Sequence, residues 1–179
     1  METILTTQKQ PNNTLHTMKI LFLDHDGVIC LSQQWGTRFD KDTDTIDSAF
    51  DDFDPGAIEV LNQIIEETDC EIVVSSDWRH HCELWQMQQL YLERGIKKGP
   101  IDFTNWVPSS AQCLEIARME EIRQWLWLES NRGWTSWCAV DDMDLGGEFG
   151  LSNFVRTPRS SEGIKQTGVK EKIIKFLNR

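Results

Sequence analysis

The sequence predicts a three-layered α/β fold with a mostly parallel, Rossmann-like central sheet. Short apolar runs alternate with helical patterns along the chain, which implies parallel strands joined by right-handed crossovers. Three of those runs end in polar residues: Ile20-Leu21-Phe22-Leu23 in Asp24, Ile72-Val73-Val74 in Ser75, and Ala139-Val140 in Asp141-Asp142. In a parallel sheet such ends share one edge, where open α/β sheets bind their ligands.

The elements follow in order. Lys19 to Asp24 reads as the first strand, and Asp24-His25-Asp26-Gly27 closes it. Residues i and i+2 of a strand share a face, so Asp24 and Asp26 belong together, and the glycine permits a sharp turn after them. Cys30 to Asp54 is a polar connection with little periodicity, crowded with Asp40, Asp42, Asp44, Asp47, Asp51, Asp52 and Asp54. Asp54 and Pro55 form a helix-start signal, and Ile58, Leu61, Ile64 and Ile65 recur at helical spacing, which predicts a helix over Pro55 to Thr68. Glu71 to Ser75 is a β-branched strand, and Trp78 to Arg94 a long helix stopped by Gly95. A short strand is expected near Ile101 to Thr104. A helix spans Arg118 to Ser130, with Ile122, Trp125 and Leu126 inward. Trp137 to Val140 is the strand before the acidic pair. Asn153 to Thr157 is a last strand, and Val169 to Leu177 a terminal amphipathic helix.

At 179 residues one domain is expected. Met1 to Thr17 is polar, lacks the apolar core of a signal peptide, and reads as a disordered tail, leaving 18–179 as the domain. No apolar run reaches the ~18 residues of a membrane span. Five cysteines without a C-x-x-C spacing argue against a zinc site or disulfide framework and for a reducing, cytoplasmic setting. The net charge of −11 excludes binding to nucleic acid chiefly through a basic surface, although a local basic patch is compatible with it. Asp40-x-Asp42-x-Asp44 resembles the start of a calcium loop, but Thr45 and Asp51 stand where such a loop needs Gly and Glu. Of the eight tryptophans, Trp125, Trp127, Trp134 and Trp137 are expected in the core.

Carboxylates converging on one sheet edge repel unless a cation is present, and hard oxygen ligands suit Mg²⁺. The composite reads as a metal-assisted phosphoryl-transfer site. On these residues the sequence resembles the haloacid dehalogenase-like (HAD) phosphohydrolase superfamily. Its first motif, hhhDxDG, is matched by Phe22-Leu23-Asp24-His25-Asp26-Gly27-Val28. Its second is matched by Ile72-Val73-Val74-Ser75, and its fourth by Ala139-Val140-Asp141-Asp142. A closer resemblance is to the HAD domain of phage-type and Swiss army knife RNA repair proteins. It rests on Ser75-Ser76-Asp77-Trp78-Arg79, Glu121-Ile122-Arg123-Gln124-Trp125-Leu126 and Val155-Arg156-Thr157.

The resemblance implies a Mg²⁺-dependent phosphatase in which Asp24 is the nucleophile and Asp26 the general acid and base. Ser75 holds a phosphoryl oxygen, and Asp24, Asp26, Asp141 and Asp142 surround the metal, Asp26 through its backbone carbonyl. The third motif, a basic residue, falls on Arg118, with Lys97 and Lys98 as alternatives. Residues 30–54 become a flap too small to enclose the site, which suits a large substrate such as a polynucleotide end and also admits a nucleotide. A small-molecule or protein phosphatase is the rival within enzymes. A catalytically quiet protein-binding module is the rival outside them. Ser75 competes with a structural role, Ser76 and Asp77 being candidate caps of the next helix. Arg79 and Arg156 read as ion-pair residues, His25 as packing, and His80-His81 as a solvated helix face.

Overall fold

The computed structural model describes residues 18–31, 53–106 and 113–179. The expected tail and most of the acidic segment, including the calcium-loop candidate, lie outside the described residues. Five strands form one all-parallel sheet: β1 (Met18–Leu23), β2 (Glu71–Val74), β3 (Asp102–Phe103), β4 (Trp134–Asp141) and β5 (Phe154–Arg156), in the order β3-β2-β1-β4-β5. Four α-helices accompany them among the described residues: α1 (Pro55–Thr68), α2 (Leu84–Glu93), α3 (Leu114–Leu128) and α4 (Val169–Leu177). The fold is the predicted α/β class.

Strand alternation divides the core into two layers. Leu21 and Leu23 of β1 face a cluster that includes Leu61 and Ile64 of α1, Met87 and Tyr91 of α2, and Ile173 and Leu177 of α4. Ile20 and Phe22 face the other way, onto Met119, Ile122 and Trp125 of α3. All four strand residues are fully buried, as a central parallel strand covered on both faces must be. Phe22 meets Trp125 edge-on at 5.3 Å, and the Trp125 indole N–H donates to Asp102 at 3.0 Å.

The start of α1 is as read: Asp54 caps it by accepting from the Ala57 amide at 2.8 Å, with Pro55 next. Other boundaries differ for local reasons. The long helix expected over Trp78 to Arg94 is two pieces, a 3₁₀ turn at Asp77–His80 and then α2. Trp78 is turned inward to stack on Phe53, and a reciprocal capping box between Glu83 and Gln86 starts the helix afresh. α3 begins at Leu114, four residues early, so Arg118 sits inside the helix. β4 begins at Trp134, where its pairing with Met18 of β1 starts, and Ser136, polar but buried, is satisfied by donating to the Leu177 carbonyl at 2.6 Å. Trp127 is 75% exposed, a correction to its expected core place, whereas Trp125 is buried and Trp134 and Trp137 are partly so. All five cysteines are free thiols, and no described helix is long and apolar enough to cross a membrane.

Candidate active site at the carboxyl edge of the sheet

Strand register brings the predicted residues together. Leu23 lies opposite Val74 on one side and Val140 on the other, so the residues that follow, Ser75, Asp24 and Asp141, fall in one row. Backbone hydrogen bonds continue across that row: the Ser75 amide donates to the Leu23 carbonyl at 2.9 Å and the Asp24 amide to the Val140 carbonyl at 3.1 Å. Alternation places Asp24 on the face of Ile20 and Phe22, the side covered by α3. Arg118 reaches in from that helix.

Arg118 is buried, and its guanidinium spans the row. Nη1 donates to Asp24 Oδ1 at 3.2 Å, to Asp141 Oδ2 at 3.3 Å and to the Ser75 carbonyl, while Nη2 donates to Asp77 at 3.2 Å. Lys97 and Lys98 are elsewhere. Lys97 pairs with Glu66, and Lys98 with Asp69 and with Glu71 at the opposite, amino end of β2. Of the three basic residues considered for the third motif, only Arg118 meets the acidic row.

Asp24, Asp141 and Asp142 each offer a carboxylate oxygen within 4.8 Å of the others. Burial is the main reason that all three carboxyls are pushed above their ordinary pKa. Asp24 rises to about 6, held down by Arg118 and by the Ser76 hydroxyl facing it and pushed up by Asp26 and Asp142. Asp141 goes well above the usual carboxylate range through burial and then the charge of Asp24. Asp142 rises through burial and then Asp26. One guanidinium does not neutralise three close carboxylates, so the donor set fits a hard divalent cation.

Asp26 is not one of that trio. The Trp78 indole N–H donates to its Oδ2 at 2.9 Å. Its loop is tightly wound: the His25 carbonyl accepts from the amides of Val28, Ile29 and Cys30, and the Thr157 hydroxyl donates to the Gly27 carbonyl at 3.0 Å. His25 itself turns to the opposite face. There it packs on Trp78 and shares a 2.6 Å hydrogen bond with the Tyr91 hydroxyl, the packing role expected of it. Cys30 forms an antiparallel bridge with Phe53, so the acidic segment leaves and returns beside the Asp26 loop.

Gly27 is required twice over. Its φ is +70°, and a Cβ there comes within 2.6 Å of Asp142 Oδ2. Gly27→Ala is therefore expected to displace Asp142 and strain the turn by about 1–2 kcal/mol. Thermal unfolding with and without Mg²⁺ checks this: the variant melts lower, and the shift on adding Mg²⁺ shrinks.

Ser75 Oγ is buried and has no hydrogen-bond partner among the described residues. Ser76 begins the 3₁₀ turn without a side-chain cap, so neither serine is spent on capping. Behind the row lies a second, buried ion pair, which gives Arg79 the ion-pair role expected of it with a partner the sequence did not name. Arg79 Nη2 donates to Glu121 Oε1 at 2.7 Å, and Glu121 Oε2 is 3.9 Å from Arg118 Nε. Arg156 ion-pairs with Asp144 at 3.0 Å and donates to the Asp142 carbonyl, bracing the acidic turn. The sequence signal for Trp78, Arg79 and Glu121 was present in the two motifs that carry Trp-Arg and Glu-Ile, but nothing in it says which side chains face which.

A five-stranded parallel sheet bearing an acidic trio and a buried arginine at its carboxyl edge defines the class: a Rossmann-like α/β domain of HAD type. The chain belongs to the family described as the HAD domain in Swiss Army Knife RNA repair proteins, whose model matches residues 20–169. Searches of curated proteins and of solved structures gave no match.

Proposed function

We propose that the domain is a Mg²⁺-dependent phosphatase that hydrolyses phosphomonoesters at polynucleotide or nucleotide ends through an aspartyl-phosphate on Asp24. The carrying observation is the pairing of Asp24, in the acidic row, with Asp26, held two residues on by the Trp78 indole. RNA repair, in the family's description, supports the polynucleotide end as substrate class.

Asp24 is the nucleophile: a carboxylate oxygen attacks phosphorus as the ester oxygen leaves. Asp26 gives its proton to that leaving oxygen. It then takes a proton from the water that attacks the phosphoryl group and frees Asp24. The unpartnered Ser75 hydroxyl donates to a phosphoryl oxygen. Arg118 keeps Asp24 ionised near neutral pH against the burial that raises its pKa to about 6. Asp24, Asp141 and Asp142 would hold the Mg²⁺, with the Asp26 carbonyl beside them. The metal supplies charge neutralisation between the nucleophile and the incoming phosphate. Cys30, bridged to both Asp26 and Phe53, brings the two described ends of the acidic segment beside the Asp26 loop.

Phosphate release from a 3′-phosphorylated oligonucleotide and from an aryl phosphate, with and without Mg²⁺, tests this reading. It expects metal-dependent turnover, faster on the oligonucleotide. No release from either by folded, Mg²⁺-binding protein favours the binding-module alternative. Trp78→Phe keeps the aromatic packing but removes the donor to Asp26. Its kcat is expected to fall about tenfold, less than the roughly 10²–10⁴-fold of a whole acid–base group because Asp26 itself remains, with a shifted pH–rate profile.

A further inference from the structure

A cleft of about 320 Å³ opens beside the acidic row, and Arg118 lines both. That volume is at the lower end of the roughly 300–1,000 Å³ of small-molecule pockets. Beside Arg118, the charged side chains of Asp77, Arg79 and Glu121 line its inner wall. Trp106, Leu114, Ala117 and Met143 present flat or apolar surface, while His80 and His81 present imidazoles. Trp106 lies three residues beyond the end of β3, hence at the same carboxyl edge as the site, and is 65% exposed; Leu114, at the start of α3, is 73% exposed. The exposed indole offers an aromatic face for stacking at the mouth of the cleft, with the leucine as apolar surface beside it.

We infer that this cleft is a subsite for the nucleobase next to the scissile phosphate, with Trp106 as its stacking platform and the two histidines facing the base edge. The inference rests on the reading of the site as a phosphatase for nucleic-acid ends and names what selects its substrate. Charge supports it. A protein of net charge −11 has little to attract a long phosphate backbone, so affinity for an end comes from local contacts. Stacking supplies such contacts without a basic track and tolerates every base, since each has a π-face. His80 adds hydrogen-bonding capacity without charge: burial, and then the neighbouring Arg79, hold its pKa below the ordinary histidine value.

Calorimetric titration in an Asp24→Asn background, where turnover is stopped, separates the subsite from the chemistry. The probes are adenosine 3′-phosphate and inorganic phosphate, both with Mg²⁺. Trp106→Ala is expected to weaken adenosine 3′-phosphate about tenfold and leave inorganic phosphate unchanged, with Trp106→Phe retaining most of the affinity. Equal weakening of both probes, or of neither, overturns the subsite. So does a phosphotyrosyl peptide that depends on Trp106 more than the nucleotide does, an outcome that points to a protein substrate. If the wild-type domain releases no phosphate from any ester but the nucleotide still depends on Trp106, the phosphatase reading fails and the subsite stands.

Discussion

Asp24→Asn is expected to abolish phosphate release, by a factor on the order of 10⁴ or more, as loss of a covalent nucleophile does elsewhere. The same substitution is expected to stabilise the metal-free fold. Asp24 titrates near 6 in the folded protein, above the 3.8 of an ordinary aspartate, and burial is the main cause. A raised carboxyl pKa means that the folded state holds its proton more tightly than the unfolded one. The penalty is absent below pH 4, grows between pH 4 and 6, and is fully present above 6. A difference of that size corresponds to roughly 3 kcal/mol. Metal-free wild-type protein therefore loses stability as pH rises through that window, and the uncharged amide of the Asp24→Asn variant removes much of the loss. Chemical denaturation at pH 4 and pH 7 measures it: the variant and the wild type differ more at pH 7. Gaining stability while losing activity is the pattern of a group placed for chemistry at the expense of the fold.

Arg118→Ala carries the largest expected loss of stability. The guanidinium touches Asp24, Asp141, the Ser75 carbonyl and Asp77, and lies beside Glu121. Removing it leaves buried carboxylates facing one another without their cation, a change that costs about 3–5 kcal/mol. Arg118→Lys recovers only part of this, because an ammonium is a point charge and does not present a fork of donors to several acceptors. Should Arg118→Ala fail to fold, the double variant with Asp24→Asn keeps the question open to measurement. Relieving one carboxylate is expected to restore part of the stability, giving a favourable coupling in the double-mutant cycle. Additive effects within about 0.5 kcal/mol contradict the direct pairing of Arg118 with Asp24.

The parts of this site that lie on strands were legible in the sequence, and for one reason. Apolar runs locate strands, parallel pairing aligns their ends, and a period of two says which residues share a face. Asp24, Ser75 and Asp141 follow from those rules alone. Arg118 was one of three basic candidates. It comes from a helix whose start the sequence misplaced by four residues, and helix phase, unlike strand phase, has no partner register to fix it. The pairing of Trp78 with Asp26 and the Arg79–Glu121 pair were not legible, because both join segments more than 40 residues apart in sequence. The split of the expected Trp78 to Arg94 helix has the same origin. Its first turn is held by the tertiary contacts of Trp78 and Arg79, which override local helical pattern. Trp127 was misread because an amphipathic pattern does not exclude a large aromatic residue from the solvent face; single exposed hydrophobic residues are ordinary.

The covalent role of Asp24 is tested most directly by trapping. In Asp26→Asn the group that activates water is gone, while an aryl phosphate has a leaving group that needs no acid. Mixing this variant with labelled aryl phosphate and Mg²⁺, then quenching in acid, is expected to give a burst of about one equivalent of phenol. The phosphoryl label should then map to the peptide that carries Asp24. Steady turnover with no burst and no label on that peptide, or label on a different residue, contradicts the assignment of Asp24 as nucleophile.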